Sequence, residues 1–142
     1  MIIKQAIYRH TAMPVIEKSL DAGALRNRTI ANNLANVTTP KYRRIEVEFE
    51  NQLKKVLEKR NLKGARTDPA HLPVGRRELT EISPRAFRAK DPTKPGEINN
   101  VDIDIEMAKL AENQLNYQYA VKFMKGQTEI LAATLKRKLG KF

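Results

Sequence analysis

The sequence predicts a mainly α-helical fold in which two long terminal helices pair as a coiled-coil-like hairpin around an irregular central insert. Three observations predict it. Near each end of the chain, apolar residues recur at steps of three and four, the period of a seam between paired helices. All but one of the seven prolines and three of the six glycines fall between the seams, in residues 38–100. Acidic residues open the second seam and basic residues close it, each sign matching the helix dipole. The implied organisation is an N-terminal helix in residues 1–40, a polar and basic insert in 41–100, and a C-terminal helix in 101–142.

The first seam runs through Met13, Ile16, Leu20, Gly23, Asn27, Ile30, Leu34 and Val37. Pro14 suits a first helical turn, where its missing N–H is no loss, and Pro40 disfavours helical geometry at Thr39. The predicted helix therefore spans about Pro14 to Val37. A longer seam follows Ile103, Met107, Leu110, Gln114, Tyr117, Val121, Met124, Thr128, Leu131 and Leu135, predicting a helix from Asp102 to Leu139. A seam this narrow on a helix this long calls for a second helix beside it. Gly23, Asn27, Gln114 and Thr128 interrupt the two seams and are expected to fix register.

Within the insert, EFENQLKKVLEKR (48–60) places Phe49, Leu53, Val56 and Leu57 on one face of a short amphipathic helix. The remainder reads as loop with one or two short strands around Arg76 to Ile82. Such a segment is expected to order on contact with partners.

Composition narrows the function. The chain has no cysteine and two histidines, so thiolate chemistry is excluded and soft-metal ligands are scarce. His10 and His71 lack a nearby nucleophile or acid constellation. Asp102, Asp104 and Glu106 alternate along a helix start, where acids favour the dipole and do not converge on a metal. No segment approaches the ~20 apolar residues of a membrane span, and the N-terminus lacks the apolar core of a cleaved signal. The net charge of +11 raises a basic nucleic-acid-binding module as an alternative, yet the excess is concentrated in residues 41–90, outside the two seam helices. No helix-turn-helix spacing or zinc pattern accompanies it.

Two stretches carry a family likeness. NNLANVTTPKYRR (Asn32–Arg44) resembles the N-terminal signature of flagellar axial rod proteins, and NNVDIDIEMAKLAENQLNYQYAVKFMKGQTEILAATLK (Asn99–Lys136) resembles the C-terminal helix of the proximal members of that family. The family commonly has Gly where this chain has Lys41, which leaves the turn after Pro40 either free of positive φ or slightly strained. The resemblance implies a non-catalytic subunit of the periplasmic rod, without cofactor, exported by the flagellar type III apparatus. Its implied partners are other copies of itself, other rod proteins and the rod-to-membrane-ring adaptor, with no nucleic acid and no membrane span. It also implies that the terminal helices form the assembly interface.

By residue alone, the amides of Asn32, Asn33 and Asn36 have two open roles: capping the last turns of the first helix, or orienting neighbouring subunits. The resemblance favours a local turn built by Asn36, Thr39, Pro40 and Tyr42, and intersubunit contact for Asn32 and Asn33. Leu34 joins them from the first seam. From the second seam the expected interface residues are Met107, Leu110, Gln114, Tyr117, Val121, Met124, Leu131 and Leu135.

Overall fold

The computed structural model describes residues 11–59, 82–92 and 98–139. These form helix α1 (Met13–Ala35), strand β1 (Ile45–Glu48), helix α2 (Glu50–Lys59), strand β2 (Arg85–Arg88) and helix α3 (Ile103–Leu139). His10, His71 and the expected strand positions Arg76 to Glu81 lie outside the described residues. The strand pair that is described lies on either side of that expectation.

Local chemistry accounts for the helix ends. Pro14 sits in the first turn of α1. At the other end, the backbone N–H of Asn36 reaches the carbonyls of Asn32 and Asn33, and its side-chain amide donates to Asn32 O at 2.8 Å. Two residues of turn carry the chain to Thr39 and Pro40, so the helix stops slightly before the predicted Val37. The carboxylate of Asp102 caps α3, accepting the N–H groups of Asp104 at 3.0 Å and Ile105 at 3.3 Å. From there α3 continues for 37 residues, about 55 Å at ~1.5 Å per residue.

Contacts between Asn33 and Glu106, and between Gly23 or Asn27 and Asn113, show that α1 and α3 run antiparallel. Continuing this register at ~1.5 Å per residue sets Met13 level with about Gln127, so roughly three turns of α3 run past the described end of α1. The α1 seam packs as the sequence predicts: Ile16, Gly23 and Ile30 are buried, and Met13, Leu20, Asn27, Leu34 and Val37 are half-buried.

On α3 the packed line differs from the predicted seam. Glu106 and Asn113 are buried, and Leu110, Ala120, Met124, Gln127 and Leu131 are half-buried, whereas Met107, Gln114, Val121 and Thr128 are exposed. Alternate members of the predicted row are thus replaced by the residue just before them. Apolar side chains occur around most of the circumference of α3, so their spacing alone does not mark the inward face. Buried polar groups mark it. Register is held by Asn113, which donates to Gly23 O and Asn27 Oδ1, while Gln114 faces solvent and Thr128 bonds its own helix at Lys125 O.

A second face of α1 is covered by the insert. Ala22 packs with Phe49 and Ile82, and Leu53 and Val56 of α2 close over them. Leu57, expected on that same face, is exposed. Strands β1 and β2 pair antiparallel, with Ile45 opposite Arg88 and Glu48 opposite Arg85. The described part of the insert is therefore docked along the side of α1 that α3 leaves free.

The turn after Pro40 has the strained geometry. Lys41 adopts φ 61°, the left-handed region, while its N–H donates to Ile98 O at 3.2 Å. A side chain is unfavourable there by about 1–2 kcal/mol, partly offset by the flexibility glycine would add to the unfolded chain. Replacing Lys41→Gly is expected to raise the unfolding free energy by roughly 0.5–1 kcal/mol, read as a higher urea midpoint. A lowered midpoint would contradict this reading of the turn.

An amide latch and the candidate assembly surface

Asn33 lies in the last full turn of α1, at the level where α1, β1 and α3 meet. Its side chain is 0% exposed. The amide nitrogen donates to Ile45 O at 2.8 Å and to Glu106 Oε2 at 2.9 Å, while the amide oxygen accepts from Ile45 N at 2.8 Å and Tyr42 Oη at 3.1 Å. An amide offers two donors and two acceptor lone pairs, so every position is occupied. Both peptide groups of Ile45 are taken up, as a neighbouring strand would take them. One side chain therefore stands in for a third strand on the edge of β1 that β2 leaves open. Asn33 is an internal residue with no group left for a neighbouring subunit, unlike the expectation from its family likeness.

Glu106 is 1% exposed, and a carboxylate so buried requires hydrogen bonds and counter-charge. Besides Asn33, it faces Lys109 Nζ at 3.5 Å and Arg44 Nη1 at 3.8 Å. The same cations reach outward: Arg44 pairs with Glu46 at 3.0 Å and Asp91 at 3.1 Å, and Lys109 with Glu46 at 3.3 Å. Three acids and two bases thus tie α3 to β1 and to the segment after β2. Tyr42, bonded to Asn33, has its phenol pKa raised above the ordinary 10.0; burial is the main cause, Arg88 opposes it, and Glu106 adds to it.

Two further asparagines complete the junction. Asn99 directs its amide nitrogen at the carbonyls of Asn36, Val37 and Thr39, at 3.1, 2.7 and 3.1 Å, and so closes the C-terminal end of α1. Asn100 accepts the N–H of Arg44 at 2.8 Å. Sequence reasoning missed Glu106, Asn99, Asn100 and Asn113 as structural partners. The run of amides ahead of Asp102 was the available signal, since asparagines facing a helix end commonly bond its free carbonyls.

The other expected interface residues divide by exposure. Asn36 and Thr39 bond to each other at 3.2 Å, Tyr42 is half-buried, and Pro40 and Asn32 are exposed. Leu34, Leu110, Met124 and Leu131 are half-buried, whereas Met107, Gln114, Val121 and Leu135 face solvent. The Tyr117 ring lies over Gly23, where an added Cβ would come within 3.0 Å of it. A groove of about 510 Å³ runs between α1, β1 and α3. Its charged groups include the pairs Arg26–Glu50 and Lys109–Glu46. Among the described residues, no group of three or more potential ligands is placed to hold a metal ion.

A long helical hairpin, locked by buried polar groups at successive levels and carrying large apolar side chains outward along its longer arm, has the form of a structural subunit of a larger assembly. The flagellar basal body rod protein FlgB of Bacillus subtilis (strain 168) is 33% identical over 120 residues, covering 84% of this chain and 89% of the relative. FlgB of Escherichia coli (strain K12) is 30% identical, covering 78% and 83%, and that of Yersinia enterocolitica is 29% identical, covering 85% and 90%. No protein-family model matches the chain. The chain belongs to the FlgB family of flagellar basal body rod proteins, as a structural, non-catalytic subunit of the axial rod.

Removing the carboxylate in Glu106→Ala should lower the unfolding free energy by roughly 1–3 kcal/mol, because one buried N–H of Asn33 is left without an acceptor while Arg44 keeps Glu46 and Asp91. Glu106→Gln retains an acceptor for Asn33 and should lose less. Urea titration of both variants checks this, and a loss under about 1 kcal/mol for the alanine variant would refute the latch. A raised phenol pKa means that Tyr42 contributes stability fully below about pH 10 and loses it as pH rises through the folded value. The stability advantage over Tyr42→Phe should accordingly be flat at neutral pH and shrink in alkaline buffer, measured as paired urea midpoints.

Proposed function

We propose that the subunit polymerises helically in the periplasmic part of the rod through its terminal helices, and that the rod so built transmits torque. Its partners on this reading are other copies of itself, other rod proteins and the adaptor joining the rod to the membrane ring. It reaches them through the flagellar type III export apparatus. None of the described helices is long and apolar enough to cross a membrane.

The observation that carries the reading is a row on the shoulder of α3. Ile103, Met107, Val121 and Leu135 are each about half exposed, although large and apolar. Large apolar side chains exposed along one side of a helix favour burial against a neighbour, which recovers about 25 cal/mol per Å² removed from water. Asn32, Thr39 and Pro40 lie exposed at and just past the C-terminal end of α1, level with the start of α3. They are free to meet a neighbouring copy there, while Leu34, Leu110 and Met124 lie along the seam of the hairpin. The basic alternative has less support, since Arg26, Arg44 and Lys109 are occupied by acids of the same chain.

Val121→Asp and Met107→Asp place a charge on this row without entering the packed interior. Neither should change the circular dichroism of the isolated subunit, and each should abolish motility in a strain lacking the native copy. Normal motility with both variants would overturn the assignment of assembly to this shoulder.

A further inference from the structure

One heptad before Gly23 and one heptad after it, α1 carries isoleucine, and Ile16, Gly23 and Ile30 are all buried. Four residues on from each, Asn27 is flanked in the same way by Leu20 and Leu34. A coiled-coil seam repeats itself every seven residues, so apolar contact alone scarcely separates one register from the next. Gly23 and Asn27 break that repeat.

Two side chains of α3 use the break. Asn113 is 3% exposed and donates to Gly23 O at 3.0 Å and to Asn27 Oδ1 at 2.7 Å. The Tyr117 ring lies over Gly23, its Cδ2 atom 3.0 Å from where a Cβ would stand. Slipping α3 by one heptad would bring Asn113 and Tyr117 against Ile16 and Leu20 in one direction, or against Ile30 and Leu34 in the other. In each case the ring meets a β-branched side chain in the space that glycine leaves open. The amide meanwhile loses Asn27 as its acceptor while still inside the seam.

We propose that Gly23 and Asn27 form a socket for Asn113 and Tyr117 that is sufficient to select the pairing register of α1 and α3, as a second determinant separate from the Asn33–Glu106 contact. The two work by different physics. Glu106 resists a shift because a buried charge must keep its donors, whereas the socket resists it by shape and by one amide–amide bond. A slip of seven residues would change by about 10 Å how far α3 runs past α1, and with it the height at which the exposed row of α3 stands. That consequence for assembly rests on the rod reading; the register is a property of one chain and is tested as such.

The chain has no cysteine, so introduced thiol pairs report the register without background. Leu20 and Ala120 are level in the observed register, whereas Met13 with Ala120, and Leu20 with Gln127, become level only after a slip of one heptad. Each pair is changed to cysteine in the full chain, expressed in a strain lacking the native copy, and the intrachain disulfide is read by gel mobility after oxidation of intact cells. Glu106→Leu, which removes the junction's carboxylate, should still give the Leu20→Cys/Ala120→Cys link alone. Adding Asn113→Leu and Tyr117→Ala to it should bring up the slipped links. With Glu106 intact, Gly23→Ile should lose the native link, and Tyr117→Ala in the same chain should restore it. Slipped links from Glu106→Leu alone would overturn the proposal. So would a native link that persists unaccompanied in the combined variant, or a Gly23→Ile chain indifferent to Tyr117→Ala.

Discussion

The structure depends on one buried carboxylate meeting one buried amide. Glu106 on α3 and Asn33 on α1 lie at the level where the helices and the strand pair converge, 2.9 Å apart and closed to solvent. Apolar seams permit a helix to slide or rotate with only gradual loss of contact area. A carboxylate held in that interior tolerates no such shift, because losing its donors leaves an uncompensated charge. The same amide also fixes β1, through both peptide groups of Ile45. One side chain thus ties β1 to the hairpin and, together with Asn113, fixes the register of its two helices.

From that level the rest of the hairpin follows in steps along its length. Asn113 bonds Gly23 and Asn27 two turns further on, and the absence of a side chain at Gly23 leaves room for Tyr117. In the other direction, Asn99 closes the carbonyl end of α1. Polar contacts thus recur where the two helices meet, with Ile16, Ile30, Leu110 and Met124 packing along the same seam. This is the pattern of a coiled coil whose polar positions specify pairing at some expense of stability. The left-handed Lys41 sits beside this junction, held by its bond to Ile98.

A hairpin so defined has spare surface by geometry alone. Its longer arm extends beyond the described end of the shorter one and is apolar on more than one side, so one partner helix cannot cover it. The inward line completes the fold and leaves large apolar side chains of α3 exposed on its other sides. Stability of the free molecule and its capacity for assembly then draw on different sides of the same helix.

The number and ends of the long helices were legible in the sequence, as was the inward face of α1, because Pro14, Pro40 and Asp102 punctuate the chain and the α1 seam has a polar reverse side. The family likeness was legible at Asn32–Arg44 and Asn99–Lys136. The inward face of α3 was not, since apolar residues occur around most of that helix and a three-and-four period can be drawn along more than one line. The opposite sides of Asn33 and Glu106 were equally hidden: one read as an interface amide and the other as an acid matched to a dipole. Only tertiary structure brings residues 73 positions apart within hydrogen-bond distance. Spacing along a chain records periodicity, whereas the partner of a buried polar group is decided by which distant segment arrives beside it.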